Sequence, residues 1–190
     1  HRIISAGSCT TNALAPVIKA LHDAYNIKSA HFVTTHAYTS SQRLIDGHSK
    51  KDPSRGRAGA FNIIPTTSGA AFSIVEAIPE LRGKIEGYAL RVPVVNGSIV
   101  SVFAKVSKIV NAKTVNSLFK KLAQGEWKNI LEYAEEPLVS TDIIHNSRSC
   151  IINGCFTSTK EEIISIAAWY DNEWGYTCRL VDVAKLLLKR

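Results

Sequence analysis

The chain has 190 residues, 45% hydrophobic and 21% charged, with a formal net charge of +7. That is enough for one sizeable domain with a buried core. No apolar run approaches the ~20 residues of a membrane span and no secretory leader pattern opens the chain, so neither a membrane protein nor an exported one is expected. Cys9, Cys150, Cys155 and Cys178 have neither zinc spacing nor the density of a disulfide scaffold, so they read as reduced thiols of a cytoplasmic protein without a metal. The positive balance favours anionic partners. Its one concentration, Lys50 to Arg57, lacks the interleaved aromatics of a nucleic-acid surface. No nucleic-acid partner is expected; a phosphorylated small molecule fits better.

Ile3-Ile4 reads as the end of a short strand entering a turn at Cys9. From Asn12 to Tyr25 the spacing of Leu14, Val17, Ile18 and Leu21 predicts an amphipathic helix, with Pro16 near its first turn and Asn26 closing it. Lys28 to His36 reads as a strand rich in β-branched residues. Tyr38 to Asn62 carries no period and reads as a long, functional loop. Ala70 to Ile78 is a helix candidate ending at Pro79. Tyr88–Val95 and Ser98–Lys108 are β-rich runs separated by Asn96-Gly97, a strong hairpin signal. Val115, Leu118, Phe119 and Leu122 mark a helix stopped at Gly125, and strands are expected at Leu138–Ile144, Cys150–Ile152 and Ile163–Tyr170. A last helix from about Gly175 to Arg190 is expected to bury Leu180, Val181, Ala184, Leu187 and Leu188, with Lys189 and Arg190 at its negative end. The predicted fold is α+β, a mixed, mostly antiparallel sheet covered by helices, in a single domain spanning 1–190.

Ser8-Cys9-Thr10-Thr11-Asn12 carries the chemistry. A thiol at a helix N-terminus feels unpaired N–H groups that favour the thiolate. An unperturbed thiol is only ~3% ionised at pH 7, so such a shift separates a nucleophile from a core residue. A thiolate needs a proton partner, and His36 is the leading candidate because the strand after the helix can return it to the helix tip. His1, His22, His31, His48 and His145 are the rivals, with His31 on the opposite side of the strand from His36. Small hydroxyls, glycine and arginines lie near these segments: Ser8, Thr10, Thr39, Arg55, Ser68, Gly69 and Arg91. Phosphate is held by such donor sets.

Those words, with His36-Ala37-Tyr38-Thr39, Asn62-Ile63-Ile64-Pro65, Pro79-Glu80-Leu81, Arg91-Val92-Pro93 and Trp169-Tyr170-Asp171-Asn172-Glu173, occur in an order that resembles the catalytic part of the glyceraldehyde-3-phosphate dehydrogenase family. The resemblance implies Cys9 as nucleophile and His36 as its base and later acid. It implies Thr39 and Arg91 on the phosphate of the substrate, and Ser8, Thr10, Arg55, Ser68 and Gly69 on inorganic phosphate. Asn172 would fix a nicotinamide carboxamide with Tyr176 beside it, making NAD the implied cofactor with NADP left open. It further implies a glycolytic oxidoreductase, a thioester intermediate, a homotetrameric parent and an S-loop in the long segment after Tyr38. Ala6-Gly7, Ala13, Ser68 and Val94–Ser98 depart from the family's usual residues without removing a reacting group.

The sequence contains no strand–GxGxxG–helix unit. It therefore reads as a fragment, inactive alone, whose last helix would pack on a dinucleotide-binding domain. Three alternatives stay open: erythrose-4-phosphate dehydrogenase, a non-catalytic binding fragment, and a cysteine hydrolase, the last of which leaves Asn172 and Tyr176 unexplained.

Overall fold

The computed structural model describes residues 3–50 and 52–188; His1, Lys51, Lys189 and Arg190, named above, lie outside the described residues. Four helices and eight strands follow one another as α1 (Cys9–Tyr25), β1 (Ile27–Ala37), β2 (Ile64–Thr67), α2 (Ala70–Ala77), β3 (Ile85–Val92), β4 (Ser98–Val106), α3 (Ala112–Gln124), β5 (Leu131–Ala134), β6 (Cys150–Asn153), β7 (Ser158–Lys160), β8 (Ile163–Tyr170) and α4 (Trp174–Leu188) among the described residues. The sheet order is β2-β3-β1-β4-β8-β6-β5, with β7 also pairing β8. Only β1/β3 and β5/β6 are parallel; the other pairings are antiparallel. The α+β class with a mixed, mostly antiparallel sheet is thus what the chain adopts.

Hydrophobic periodicity places the core. Leu14, Val17, Ile18 and Leu21 on α1 are fully buried against the face of the sheet carrying Phe32, Val100, Val102, Ile164, Ile166 and Ala168. β1 alternates on that face, with Ala30, Phe32, Thr34 and His36 buried while His31 is exposed, as a period of two demands. The opposite face leaves Tyr88, Phe103 and Ile163 partly exposed, so helices cover one side of the sheet.

Several expected elements differ. β3 and β4 do not pair as a hairpin across Asn96-Gly97: β1 lies between them, parallel to β3 and antiparallel to β4. Gly97 instead serves a tight passage, with φ +94° and Ser140 O only 2.4 Å from where a Cβ would stand. Leu138–Ile144 is a series of turns, not a strand. There Asp142 accepts from Val139 N at 2.8 Å and Asp171 from His145 N at 2.7 Å, which takes up amides a strand ladder would need. Ile3-Ile4 is not a strand, and β2, β5 and β7 are additional short ones.

α1 starts at Cys9, so Pro16 lies inside it and removes the N–H that the Asn12 carbonyl would receive. Asn26 closes α1 with φ +55°, its N–H reaching His22 O, as read from the sequence. α4 runs from Trp174 to Leu188 within the described residues, but Leu180, Val181, Leu187 and Leu188 are 38–85% exposed and Ala184 is exposed too. Its N-terminal half is tied down instead by Arg179, which donates to Asn129 O and Ser147 O.

Replacing Gly97 by Ala combines an unfavourable positive φ with a backbone clash, and the expected loss is about 2–3 kcal/mol. Thermal unfolding should register this as a fall in Tm of roughly 5–10 °C.

Candidate active site

The site forms where the N-terminus of α1 meets the C-terminal ends of β1 and β3. Ser8 is the N-cap of α1: extended backbone lets its hydroxyl accept from Thr11 N at 3.1 Å, satisfying one of the orphan amides. Gly7, with φ +70°, turns the chain into that cap, a conformation most side chains resist. Cys9 is therefore the first helical residue, half-buried, and its Sγ lies 3.4 Å from His36 Nε2. Of the rival histidines in the described residues, His22 accepts from Ile27 N and His31 lies beside Tyr88 with the rings tilted. His145 stands edge-on to Trp174 and His48 is exposed in the long loop.

Arg91 is the register partner of His36 across the parallel β1/β3 pair. In parallel strands such partners share a face, so a residue 55 positions away meets the imidazole. Arg91 Nη1 sits 2.5 Å from His36 Nδ1 and donates to Ala37 O at 3.1 Å. The same Nδ1 is 2.7 Å from Ala37 O. Arg55, in a 3₁₀ turn at Pro53–Gly56, donates from Nε to Thr66 Oγ1 on β2, and its charge is felt at Arg91. Thr39 follows β1, where its N–H and hydroxyl both donate to Gln42 Oε1. Gln42 Nε2 and Arg91 Nε are buried donors without a protein acceptor, the condition an acceptor-only anion relieves.

Cys9, Ser8, Thr10, His36 and Arg91 are brought together, with Arg55 within electrostatic reach. Ser68 and Gly69 lie at the start of α2, which packs on α1. The Ser68 hydroxyl accepts from Ala70 N, and Gly69 opens onto unfilled space. Asn172 is 5% exposed, its Oδ1 accepting from Gly97 N at 3.1 Å and Ser98 Oγ at 2.7 Å while Nδ2 donates to Glu173 Oε1 at 3.2 Å. Tyr176 stands half-buried on α4.

Electrostatics correct one expectation. Burial pushes the Cys9 thiol up, outweighing the Thr10 amide and hydroxyl and the Arg91 charge that pull it down. Burial, then the Arg91 charge, lowers His36 from 6.5 to about 4 against the opposing Ala37 carbonyl. Desolvation beats the helix-tip amides.

Sequence reasoning assigned no role to Tyr170, Thr34 or Ser98. Tyr170, 1% exposed, bridges Thr10 Oγ1 at 3.0 Å and Thr34 Oγ1 at 2.7 Å and stands edge-on to the His36 ring. Ser98 accepts from Ala37 N, which fixes the strand end below the imidazole. The alternation Ile164, Ile166, Ala168, Tyr170 carried the signal, since a tyrosine ending a buried face needs a partner for its hydroxyl. The four cysteines are free. Among the described residues no cluster of His, Cys, Asp or Glu could hold a metal ion, and no helix is long and apolar enough to cross a membrane.

His36 makes stability depend on pH. Its folded pKa is depressed, so unfolding takes up a proton between 6.5 and about 4. The contribution is whole above pH 6.5, falls as pH drops through this window and is gone below about 4, a loss of about 3 kcal/mol at most. Urea titrations across that range should show this component in the wild type and not in His36→Gln.

A family model described as "Glyceraldehyde 3-phosphate dehydrogenase, C-terminal domain" matches residues 8–172. Glyceraldehyde-3-phosphate dehydrogenase of Mycobacterium leprae is 46% identical over 190 residues, all of this chain and 56% of that protein. Glyceraldehyde-3-phosphate dehydrogenase 2 of Bacillus subtilis is 46% identical over 191 residues with the same coverage, and its counterpart from Trichormus variabilis is 44% identical. The chain spans about half the length of the curated relatives it matches. A helix-tip cysteine facing an imidazole, on this sheet and within this match, makes the chain a member of the glyceraldehyde-3-phosphate dehydrogenase family through that family's C-terminal domain.

Proposed function

We propose that the protein carrying this domain oxidises glyceraldehyde 3-phosphate, with inorganic phosphate, to an acyl phosphate through a thioester on Cys9. The 3.4 Å contact between Cys9 Sγ and His36 Nε2 at a helix N-terminus carries this reading. Burial and the Arg91 charge lower the proton affinity of His36 and leave its ring unprotonated before reaction, so the imidazole facing the sulfur is available to receive a proton from the thiol.

The sulfur adds to the aldehyde carbon, the C=O pair moves onto oxygen, and that oxygen takes the proton back from Nε2 to give a hemithioacetal. His36 then removes the hydroxyl proton, and the carbonyl of the thioester forms as the C–H bond gives up its hydride. A bound nicotinamide would supply the hydride acceptor. Asn172 is assigned to its carboxamide: the two donors on Oδ1 fix the amide, and Nδ2, one hydrogen of which goes to Glu173 Oε1, keeps a second to donate, with Tyr176 assigned beside the ring. His36, protonated by the oxidation step, neutralises charge next to the thioester while phosphate oxygen attacks and the thiolate leaves to recover its proton.

Buried donors without acceptors on Arg91 and Gln42 support an anion at this end. Thr39 and Arg91 are assigned to the substrate phosphate, and Ser8, Thr10, Arg55, Ser68 and Gly69 to inorganic phosphate. The isolated 190 residues, lacking a GxGxxG unit, are proposed not to turn over NAD. Exposed Leu44, Ile45, Phe61, Ile63 and Phe72 are what subunit contacts in a homotetramer would cover.

In the whole enzyme, Cys9→Ser should abolish aldehyde-dependent NADH formation and acyl-enzyme trapping; normal turnover by that variant would sink the assignment. His36→Asn should lower kcat by roughly 10²–10⁴ with a smaller change in KM. A higher kcat/KM for erythrose 4-phosphate than for glyceraldehyde 3-phosphate would move the assignment to the sibling enzyme.

A further inference from the structure

Ser98 is the first residue of β4, and β4 lies between β1 and β8 in the sheet. The register of β4 with β1 ends at Ile99 and Thr35, and its register with β8 ends at Ser98 and Tyr170. Ala37 on one side and Asn172 on the other therefore lie just past the ends of their ladders. The Ser98 hydroxyl reaches both, accepting from Ala37 N at 3.1 Å and donating to Asn172 Oδ1 at 2.7 Å. All three residues are buried. Along the core face of β4 the order is Ser98, Val100, Val102, Ala104, so the one polar side chain stands where that face meets the site.

The direction of these bonds is forced. The Ala37 amide can only donate, so the hydroxyl accepts there and its single hydrogen is left for Asn172. The Gly97 amide also can only donate, and it meets the same Asn172 oxygen at 3.1 Å. Turning the Asn172 side chain over would set its NH2 against that N–H. Nδ2 thus stays the donating end, with one hydrogen on Glu173 Oε1 and a second to give. We propose that Ser98 is a positioning residue that joins the two halves of the site: one hydroxyl pins both the Asn172 amide and the Ala37 backbone beside the base. This rests on the reading that Asn172 donates to the carboxamide of a nicotinamide.

Both contacts bear on the chemistry. Ala37 follows His36, and its carbonyl oxygen lies 2.7 Å from His36 Nδ1, so what fixes Ala37 also fixes the seat of the imidazole. Ser98 is itself held: Gly97 before it has φ +94° and backs closely on Ser140 O, which leaves the start of β4 little freedom. Base and hydride acceptor must be kept at set distances from one carbon, and a misplacement of about 1 Å can cost on the order of a hundredfold in rate. Two chain segments that merely end near each other do not guarantee such spacing; a buried hydroxyl bonded to both does. Without it the Ala37 amide loses its acceptor inside the protein and Asn172 keeps one donor in place of two.

The test sets Ser98→Ala beside the wild type in two measurements. In the 190-residue chain, amide hydrogen exchange at Ala37 should be about tenfold faster in Ser98→Ala, whereas Asn172→Ala should leave it slow. In the whole enzyme, the Kd for NAD should rise about five- to tenfold in Ser98→Ala, the worth of one lost hydrogen bond. The Kd for ADP-ribose, which has no nicotinamide, should not change. Ser98→Thr keeps the hydroxyl and should restore both readouts. Unchanged Ala37 exchange in Ser98→Ala, equal weakening of NAD and ADP-ribose, or a folded Ser98→Thr that restores neither readout overturns the proposal. If Asn172→Ala weakens NAD binding and Ser98→Ala does not, the positioning role fails and the nicotinamide reading stands. If Asn172→Ala leaves NAD binding as it was, that reading fails and takes the positioning role with it.

Discussion

The site depends on two consecutive elements ending at the same place. From Cys9 to Tyr25 the helix advances about 24 Å and from Ile27 to His36 the strand returns about 30 Å, so a reversal at Asn26 brings the imidazole to the tip from which the chain set out. The left-handed Asn26 cap makes that reversal in one residue. Twist of the sheet and tilt of the helix take up the difference in length. The buried stripe of Leu14, Val17, Ile18 and Leu21 holds α1 against the sheet, and the 3.4 Å sulfur–nitrogen contact follows.

Burial works on this pair in an unobvious direction. A helix N-terminus stabilises an anion, yet burial pushes the Cys9 thiol up against the Thr10 amide and hydroxyl and the Arg91 charge, which pull it down. The same burial, with Arg91, keeps the imidazole neutral. Beneath the pair, Tyr170 links Thr10 on the helix to Thr34 on the strand, so the two elements are joined by hydrogen bonds as well as by packing.

Long periodic segments were legible along the chain because one face of each is buried over several turns or residues: α1, α3, β1, β4 and β8 appear where their patterns put them. Short strands were not, β6 (Cys150–Asn153) excepted. β2, β5 and β7 have three or four residues, too few for an alternation to stand out, and they exist because neighbouring strands offer them partners. The Asn96-Gly97 signal failed for a related reason. Its local turn chemistry is real, with Gly97 at positive φ, but β1 supplies a better-buried partner for both flanking runs than they supply for each other. α4 kept its period while its apolar side stayed exposed, since periodicity reports a face without naming what covers it.

By itself the sequence determined the class of fold and the amphipathic helix beside Cys9, both consequences of local pattern, while spacing left His36 one histidine among several and the family resemblance singled it out. Only the tertiary structure decided that Arg91 lies against the far nitrogen of His36, that Tyr170 bridges the elements beneath it, and that burial pushes the Cys9 thiol up. Those depend on which strands lie side by side and how much water their packing removes. Neither quantity is a property of neighbours along the chain.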